Sequence, residues 1–234
     1  MARSQKFPTI SIVIPTLNEA SHLPLLFADL NAWPYDFELT IVDGGSKDLT
    51  IPIARIQGAN VIKSLKKNRG YQLKIGALSA KGDWILFIHA DSRLDPTWVN
   101  SLLKIIKGKT SKNHAWYFDF KIKNSNLEFR LLELAVALRS NFLQRPYGDQ
   151  GLLIHKNLYY LSGGFNSLKI MEDLDLIIRI TKKNKAKTIS ENIYTDDIKW
   201  AKSNIIRRAI KNARLRKEWR LGYDIDYLSK EYYS

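Results

Sequence analysis

The stretch "DWILFIHADS", residues 83–92, decides the fold. Its apolar run from Trp84 to Ile88 is short for a helix and reads as a buried strand. The run stops at once in His89, Asp91 and Ser92. The same grammar repeats toward the N-terminus. "TISIVIP" (9–15) is a β-branched strand closed by Pro15 and followed by Thr16, Asn18 and Glu19. "FELTIVDGG" (37–45) is a strand ending in Asp43, and "ANVIKS" (59–64) a third. Helical spacing separates them, in "EASHLPLLFADLNAW" (19–33), "KDLTIPIARIQ" (47–57) and "NRGYQLKIGALSA" (68–80). Strands joined by single helices imply right-handed crossovers and a mainly parallel sheet. Ligands of such sheets bind beyond the carboxyl ends of the strands. Asn18, Glu19, Asp43, His89 and Asp91 therefore fall on one rim. Any one of them alone is ordinary turn chemistry; three polar clusters on one edge point to a site.

The second half is less regular. "DPTWVNSLLKIIKG" (95–108) reads as a capped helix with Pro96 in its first turn. "HAWYFDFKIK" (114–123) alternates like an exposed strand, and "NLEFRLLELAVALRSNF" (126–142) is helical. "GLLIHK" (151–156) is a short strand, "EDLDLIIRITKKN" (172–184) a helix with its acids first, and "KAKTIS" (185–190) an edge strand. The expectation is one α/β domain over residues 1–200, in two halves at about 9–95 and 96–200, with a basic helical extension over 201–234.

The chain has 234 residues, 45% of them hydrophobic, and a formal charge of +14. That charge favours an anionic partner, whether a phosphorylated small molecule, nucleic acid or an acidic membrane surface. With no cysteine there is no thiolate ligand, thiol nucleophile or disulfide, which fits a reducing compartment. "MARSQKFPTI" is too polar for a signal peptide, and no apolar run approaches the roughly 18 residues of a spanning helix. The expectation is a cytoplasmic protein, soluble or held on the inner face of the cell membrane. No G-x-G-x-x-G follows the first strand and no Walker A sequence occurs. A nucleotidyltransferase would need a phosphate-gripping first loop, and "PTLNEA" is not one. A nucleic-acid binder would interleave its cations with aromatics, whereas these cluster in the tail and in lysine-rich loops.

Five segments, in order, carry a resemblance: "SIVIPTLNEA", "IVDGGSKDLT", "RGYQLKIGALSAKGDWILFIHADS", "GDQGLLIHKNLYYLSGGF" and "MEDLDLIIRI". Over roughly residues 9–200 the chain resembles family 2 glycosyltransferases of the GT-A fold, most closely a small bacterial branch with H-A-D-[ST] in place of D-x-D. The resemblance implies inverting transfer of a sugar from a nucleoside-diphosphate donor, UDP-linked, to an acceptor hydroxyl. It implies Mg²⁺ or Mn²⁺ bridging the diphosphate and held by Asp91, with His89 where the first acid of D-x-D stands. Asp43 would accept a hydrogen bond from the base, while Thr16, Asn18 and Glu19 line the ribose and base pocket. Arg69 in "KKNRG" would pair with the diphosphate or with Asp43, and Lys199 in "DDIKW" would reach the diphosphate from a late loop. Asp173 in "MED" would be the base that takes the acceptor's proton, with Glu172 beside it. Asp149 and Gln150 in "YGDQG", and Gly163 and Gly164 in "LSGGF", would lie near the donor sugar or acceptor.

Between Lys199 and Arg220 stand nine Lys or Arg and one Glu. Ile205, Ile206, Ile210, Ala209 and Ala213 make one apolar side, flanked by Trp200 and Trp219. Such a helix fits an anionic membrane interface and a lipid-linked acceptor. A helix packed on its own domain fits equally, and a homodimer contact is a third option.

Overall fold

The computed structural model describes residues 8–124, 126–195 and 205–233. Four parallel strands form the first half of one sheet: β1 (Ile10–Thr16), β2 (Phe37–Asp43), β3 (Asn60–Lys63) and β4 (Trp84–Phe87). The helices between them are α1 (Leu23–Leu30), α2 (Thr50–Ile56) and α3 (Arg69–Ser79). A two-residue β5 (Arg93–Leu94), α4 (Trp98–Lys107), β6 (Ala115–Ile122), α5 (Leu127–Phe142), β7 (Leu152–His155) and α6 (Lys156–Leu161) follow. Then come α7 (Glu172–Thr181) and β8 (Ala186–Thr195), and finally α8 (Ile205–Arg220) and α9 (Ile225–Tyr233). The sheet order is β3-β2-β1-β4-β7-β6-β8-β5, with β7 antiparallel to both β4 and β6.

Strand alternation sends each face of the sheet to its own core. Ile10, Ile12 and Ile14 of β1 pack with Leu26, Leu30, Trp98 and Leu102 from α1 and α4. Val13 points the other way, to Leu73 and Ala77 of α3 and Leu176 and Ile180 of α7. Helix α3 starts at Asn68, whose side chain caps the Tyr71 N–H at 2.9 Å. It sits close against β1 because residue 76 is glycine: a Cβ there would lie 2.4 Å from Val13 Cγ1. The register pairs Thr16 with Asp43 and Val13 with Phe87, so the polar ends of β1, β2 and β4 do share one rim.

Two strands differ from the sequence reading. β6 lies inside the sheet, between β7 and β8, and Tyr117, Phe118 and Phe120 are buried. Its open alternation reflects cover by α5, whose Phe129 and Val136 pack on Phe120 and Ile122. β8 is not the edge and continues past "KAKTIS" to Thr195. The pairing slips from Tyr117–Thr188 to Asp119–Asn192, and Ser190 adopts φ 62° there. A bulge breaks the alternation that marks a strand, so periodicity ends before the strand does. The tail also holds a second helix, α9, opened by Asp224 accepting the Tyr227 N–H at 2.8 Å. No described helix is long and apolar enough to cross a membrane.

Candidate active site

The loops after β1 and β2 are tied into one structure. The Asn18 N–H donates to Ser46 Oγ at 2.8 Å, and the Lys47 N–H donates to Asn18 Oδ1 at 2.8 Å. Asn18 holds φ 58°, a conformation Asn tolerates better than most residues. Asp43 is 1% exposed and organises the turn: it accepts from Thr16 Oγ1 at 3.2 Å, from the Gly45 and Ser46 N–H groups at 2.9 Å each, and from Ser46 Oγ. Beneath it Gln72 of α3 donates to the carbonyls of Thr16 at 3.0 Å and Val42 at 2.7 Å. These bonds fix the rim on which Thr16 and Glu19 face a cleft of about 810 Å³.

The opposite wall begins at α7. Met171, just before it, takes φ 63° in the left-handed region that non-glycine residues avoid. From this turn the two acids part. Glu172 is 1% exposed and pairs inward with Arg69 Nε, 103 residues away. Burial pushes the Glu172 carboxyl up, and Asp173 adds to this, while Arg69 opposes it. Burial also works against the Arg69 charge, but Glu172 and Asp173 outweigh it and hold the guanidinium above its ordinary range. Asp173 instead lines the cleft. Its Oδ2 accepts the Gly148 N–H at 2.6 Å and its Oδ1 the Leu174 N–H at 2.7 Å. Residue 148 must be small, since a Cβ there would lie 3.0 Å from His89 Nε2 and 3.3 Å from Asp173 Oδ2. His89, Asp91, Asp149 and Asp173 thus share the cleft with Arg69 and Lys67.

The C-terminal helices close the cleft. Leu215 and Leu228 pack into a cluster with Ile170, Met171 and Leu174. This places Arg208, Asn212 and Arg216 of α8 and Tyr232 of α9 on the cleft wall. The guanidinium of Arg216 lies 5.1 Å from the Tyr147 ring centre, and that of Arg139 lies 3.5 Å from it. Burial and the nearby Arg139 depress the Arg216 pKa.

The family model described as glycosyl transferase family 2 matches residues 11–165. The chain belongs to that family. This glycosyltransferase is 29% identical over 180 residues to the PGL/p-HBAD biosynthesis glycosyltransferase Rv2957 of Mycobacterium tuberculosis, a match covering 74% of this chain and 69% of that one. It is 23% identical over 184 residues to an uncharacterized glycosyltransferase of Haemophilus influenzae, covering 74% and 62% of the two chains. Among solved structures it resembles the mannosyltransferase PcManGT from Pyrobaculum calidifontis in complex with GDP-Man and Mn²⁺, with TM-score 0.66, 17% identity, and cover of 98% of this chain and 70% of that one. It also resembles S. aureus TarS 1–349 in complex with UDP, with TM-score 0.62, 17% identity, and cover of 80% and 60%. Against a longer TarS structure the chain spans 36% of that protein's length. The fold is the mixed α/β GT-A type.

Several residues expected at the site of this glycosyltransferase are held elsewhere. Gln150 is buried and spends its amide internally, accepting from Ser140 Oγ at 2.7 Å and donating to the Phe118 carbonyl at 3.1 Å. Gly163 and Gly164 lie off the cleft, in a turn tied to Arg179; a Cβ on Gly164 would lie 2.9 Å from the Tyr159 ring. Asn18 and Asp43 shape the rim rather than line the cleft. Arg69 lines it, but its carboxylate partner is Glu172, not Asp43. Lys199 and Trp200 lie outside the described residues. On α8, Ile210 and Ala213 are exposed and Leu215 is the buried contact, so the apolar side differs from the one read in the sequence. Gln72, Tyr147 and Arg216 were missed. Gln72 had a signal, a polar residue beside Leu73 on the apolar face of α3.

Asp149 gives a pH prediction. Burial raises its carboxyl above the ordinary 3.8, with Asp173 adding and Arg139 opposing, and its Oδ1 is buried without a hydrogen-bond partner among the described residues. A carboxyl raised by folding gives up its proton first in the unfolded chain. Stability is therefore lost as pH climbs above 3.8 and through the folded value. Asp149→Asn is expected to raise Tm by a few degrees at pH 7 and to leave it unchanged near pH 3, as read by thermal melts across pH. A Tm gain of equal size at both pH values would contradict the burial argument.

Proposed function

We propose that this chain is an inverting glycosyltransferase that moves a sugar from a nucleoside-diphosphate donor, UDP-linked, to an acceptor hydroxyl. Family membership supports sugar transfer from a nucleotide sugar. One observation carries the finer reading: Asp91, Asp149 and Asp173 come from three separate stretches, yet they line one cleft with Thr16, Arg69 and Lys67. The volume of about 810 Å³ is of the size that takes a nucleotide-sized ligand.

On this reading the nucleoside lies against the rim of Thr16 and Glu19, in the shape that Asp43, Asn18 and Gln72 impose on it. The Gly148 and Leu174 N–H groups hold Asp173 in one orientation and leave lone pairs on each carboxylate oxygen. As the acceptor oxygen bonds to the anomeric carbon, the bond from that carbon to the diphosphate oxygen breaks. The acceptor proton passes to an Asp173 oxygen. The departing diphosphate gains negative charge, which Lys67, Arg69 and Arg208 on the cleft wall counter.

Among the described residues no group of three or more His, Cys, Asp or Glu is arranged as a metal cage. A single carboxylate, Asp91, with His89 beside it on the cleft wall, still fits Mg²⁺ or Mn²⁺, which take few protein oxygens and complete their shell with phosphate and water. Asp91 would hold the ion, and the ion would neutralise diphosphate charge.

Thermal melts with a panel of nucleotide sugars, with Mn²⁺ and with chelator, test this. The matching donor at about a hundredfold its Kd is expected to raise Tm by roughly 5–10 °C. Asp91→Ala is expected to remove the metal-dependent part of that rise. A full rise in the variant would take Asp91 out of the metal role, and no response to any nucleotide sugar would overturn the reading.

A further inference from the structure

Helix α5 is built the wrong way round for a water-facing helix. Its inner side, Phe129 and Val136, packs on Phe120 and Ile122, as expected. Its outer side should then be polar. Instead Leu131, Leu134, Leu138 and Phe142 stand 59%, 57%, 49% and 78% exposed. The other exposed positions from Leu131 to Phe142 are Ala135, Ala137 and Asn141, so none carries a charge. The result is a continuous apolar stripe about 17 Å long. A stripe of this kind marks a surface that something covers.

Its setting says what. The C-terminal half of α5 meets α8 at Tyr147, whose ring is contacted by Arg139 from one helix and Arg216 from the other. α8 exposes Arg207, Lys217 and Arg220 and keeps its one buried leucine, Leu215, for the domain. An apolar stripe and a cationic helix therefore adjoin at the edge of the cleft. Apolar area combined with neighbouring cations is what binds a protein into an anionic lipid interface. Self-pairing is disfavoured, because a two-fold contact through α5 would bring two α8 helices together on chains that carry +14 each.

We propose that α5 and α8 form a membrane-docking surface for anionic lipid, with α5 supplying the apolar contact and α8 the charge. Resting on the function proposed above, this presents the Tyr147 and Asp173 side of the cleft to an acceptor hydroxyl carried at the bilayer surface. Helix α8 alone offers little apolar contact, since its one leucine is spent on Ile170 and Met171 and, among its described side chains, Ile210 is the one large apolar group exposed.

The test is flotation of the full chain with vesicles of phosphatidylcholine alone and of phosphatidylcholine with phosphatidylglycerol. Strong recovery is expected only with the anionic vesicles, and a fall of at least tenfold in Leu134→Glu/Leu138→Glu and in Arg207→Glu/Lys217→Glu. Equal recovery by parent and variants, or none by the parent, overturns the proposal. The absence of cysteine allows a second reading that does not depend on the charged variants folding. Leu134→Cys labelled with a polarity-sensitive dye is expected to shift to the blue on anionic vesicles, and no shift overturns the proposal. A lipid-free dimer in sedimentation that Leu134→Glu dissolves would assign the stripe to a second copy instead. Donor melts on the same preparations separate the two claims: a donor shift without flotation sinks docking alone, and flotation without any donor shift sinks the enzymatic reading.

Discussion

Asp173→Asn is expected to bind donor as the parent does and to transfer sugar about 10²–10⁴-fold more slowly. Asn matches Asp in shape, and its carbonyl can still accept the Gly148 N–H, which Asp173 Oδ2 takes at 2.6 Å, at the cost of the Leu174 N–H that Oδ1 takes at 2.7 Å. It also remains a good residue for a helix start. The loss is chemical: an amide cannot take the acceptor's proton. Donor binding measured by calorimetry beside turnover separates the effects, with Kd unchanged within about twofold and kcat collapsed. Turnover within tenfold of the parent would remove Asp173 from the base role. Asp149 would inherit it, since its buried carboxyl lies in the same cleft.

The largest expected effect on stability comes from Arg69. Arg69→Met leaves Glu172, 1% exposed, with its charge unpaired. Stranding one partner of a buried ion pair costs about 3–5 kcal/mol. Arg69 is itself 34% exposed, so water can reach part of the gap and the lower end, about 3 kcal/mol, is expected. Urea unfolding at pH 7 reads it. Adding Glu172→Gln to Arg69→Met is expected to restore most of the loss, because a neutral amide avoids most of the burial penalty. The sign with pH is fixed. Burial already holds the Glu172 carboxyl above its ordinary 4.5, and removing Arg69 lifts it further. The deficit should therefore shrink as pH falls toward 4.5 and grow as pH rises through the folded value. A loss below 1 kcal/mol at every pH would mean that Glu172 is not held as a buried anion.

The parallel strands were legible because burial on both faces leaves a run such as Ile10–Ile14 that nothing but a strand explains at that length. Their shared rim followed from topology alone. β8 was legible only to Ser190, because its bulge erases the alternation on which such a reading depends. At the site, "MED" marks a helix start but cannot say which acid turns inward. The left-handed turn at Met171 and the reach of Arg69 across 103 residues decide that, and no local pattern records either. "SGGF" reads alike whether its glycines face a sugar or, as they do, Arg179 at Gly163 and the Tyr159 ring at Gly164. The role of α8 as a cleft wall depends on Leu215 finding Met171 and Leu174, a tertiary contact invisible to helical periodicity.

The central claim is that acids distant in the chain surround one bound diphosphate. A crystal structure with UDP and Mn²⁺ tests it most directly, with the metal located by its anomalous signal. The account predicts a manganese peak against the Asp91 carboxylate, the diphosphate between it and Arg69, and Asp173 open toward the far side of the cleft. A nucleotide bound elsewhere, or manganese with no contact to Asp91, would contradict it.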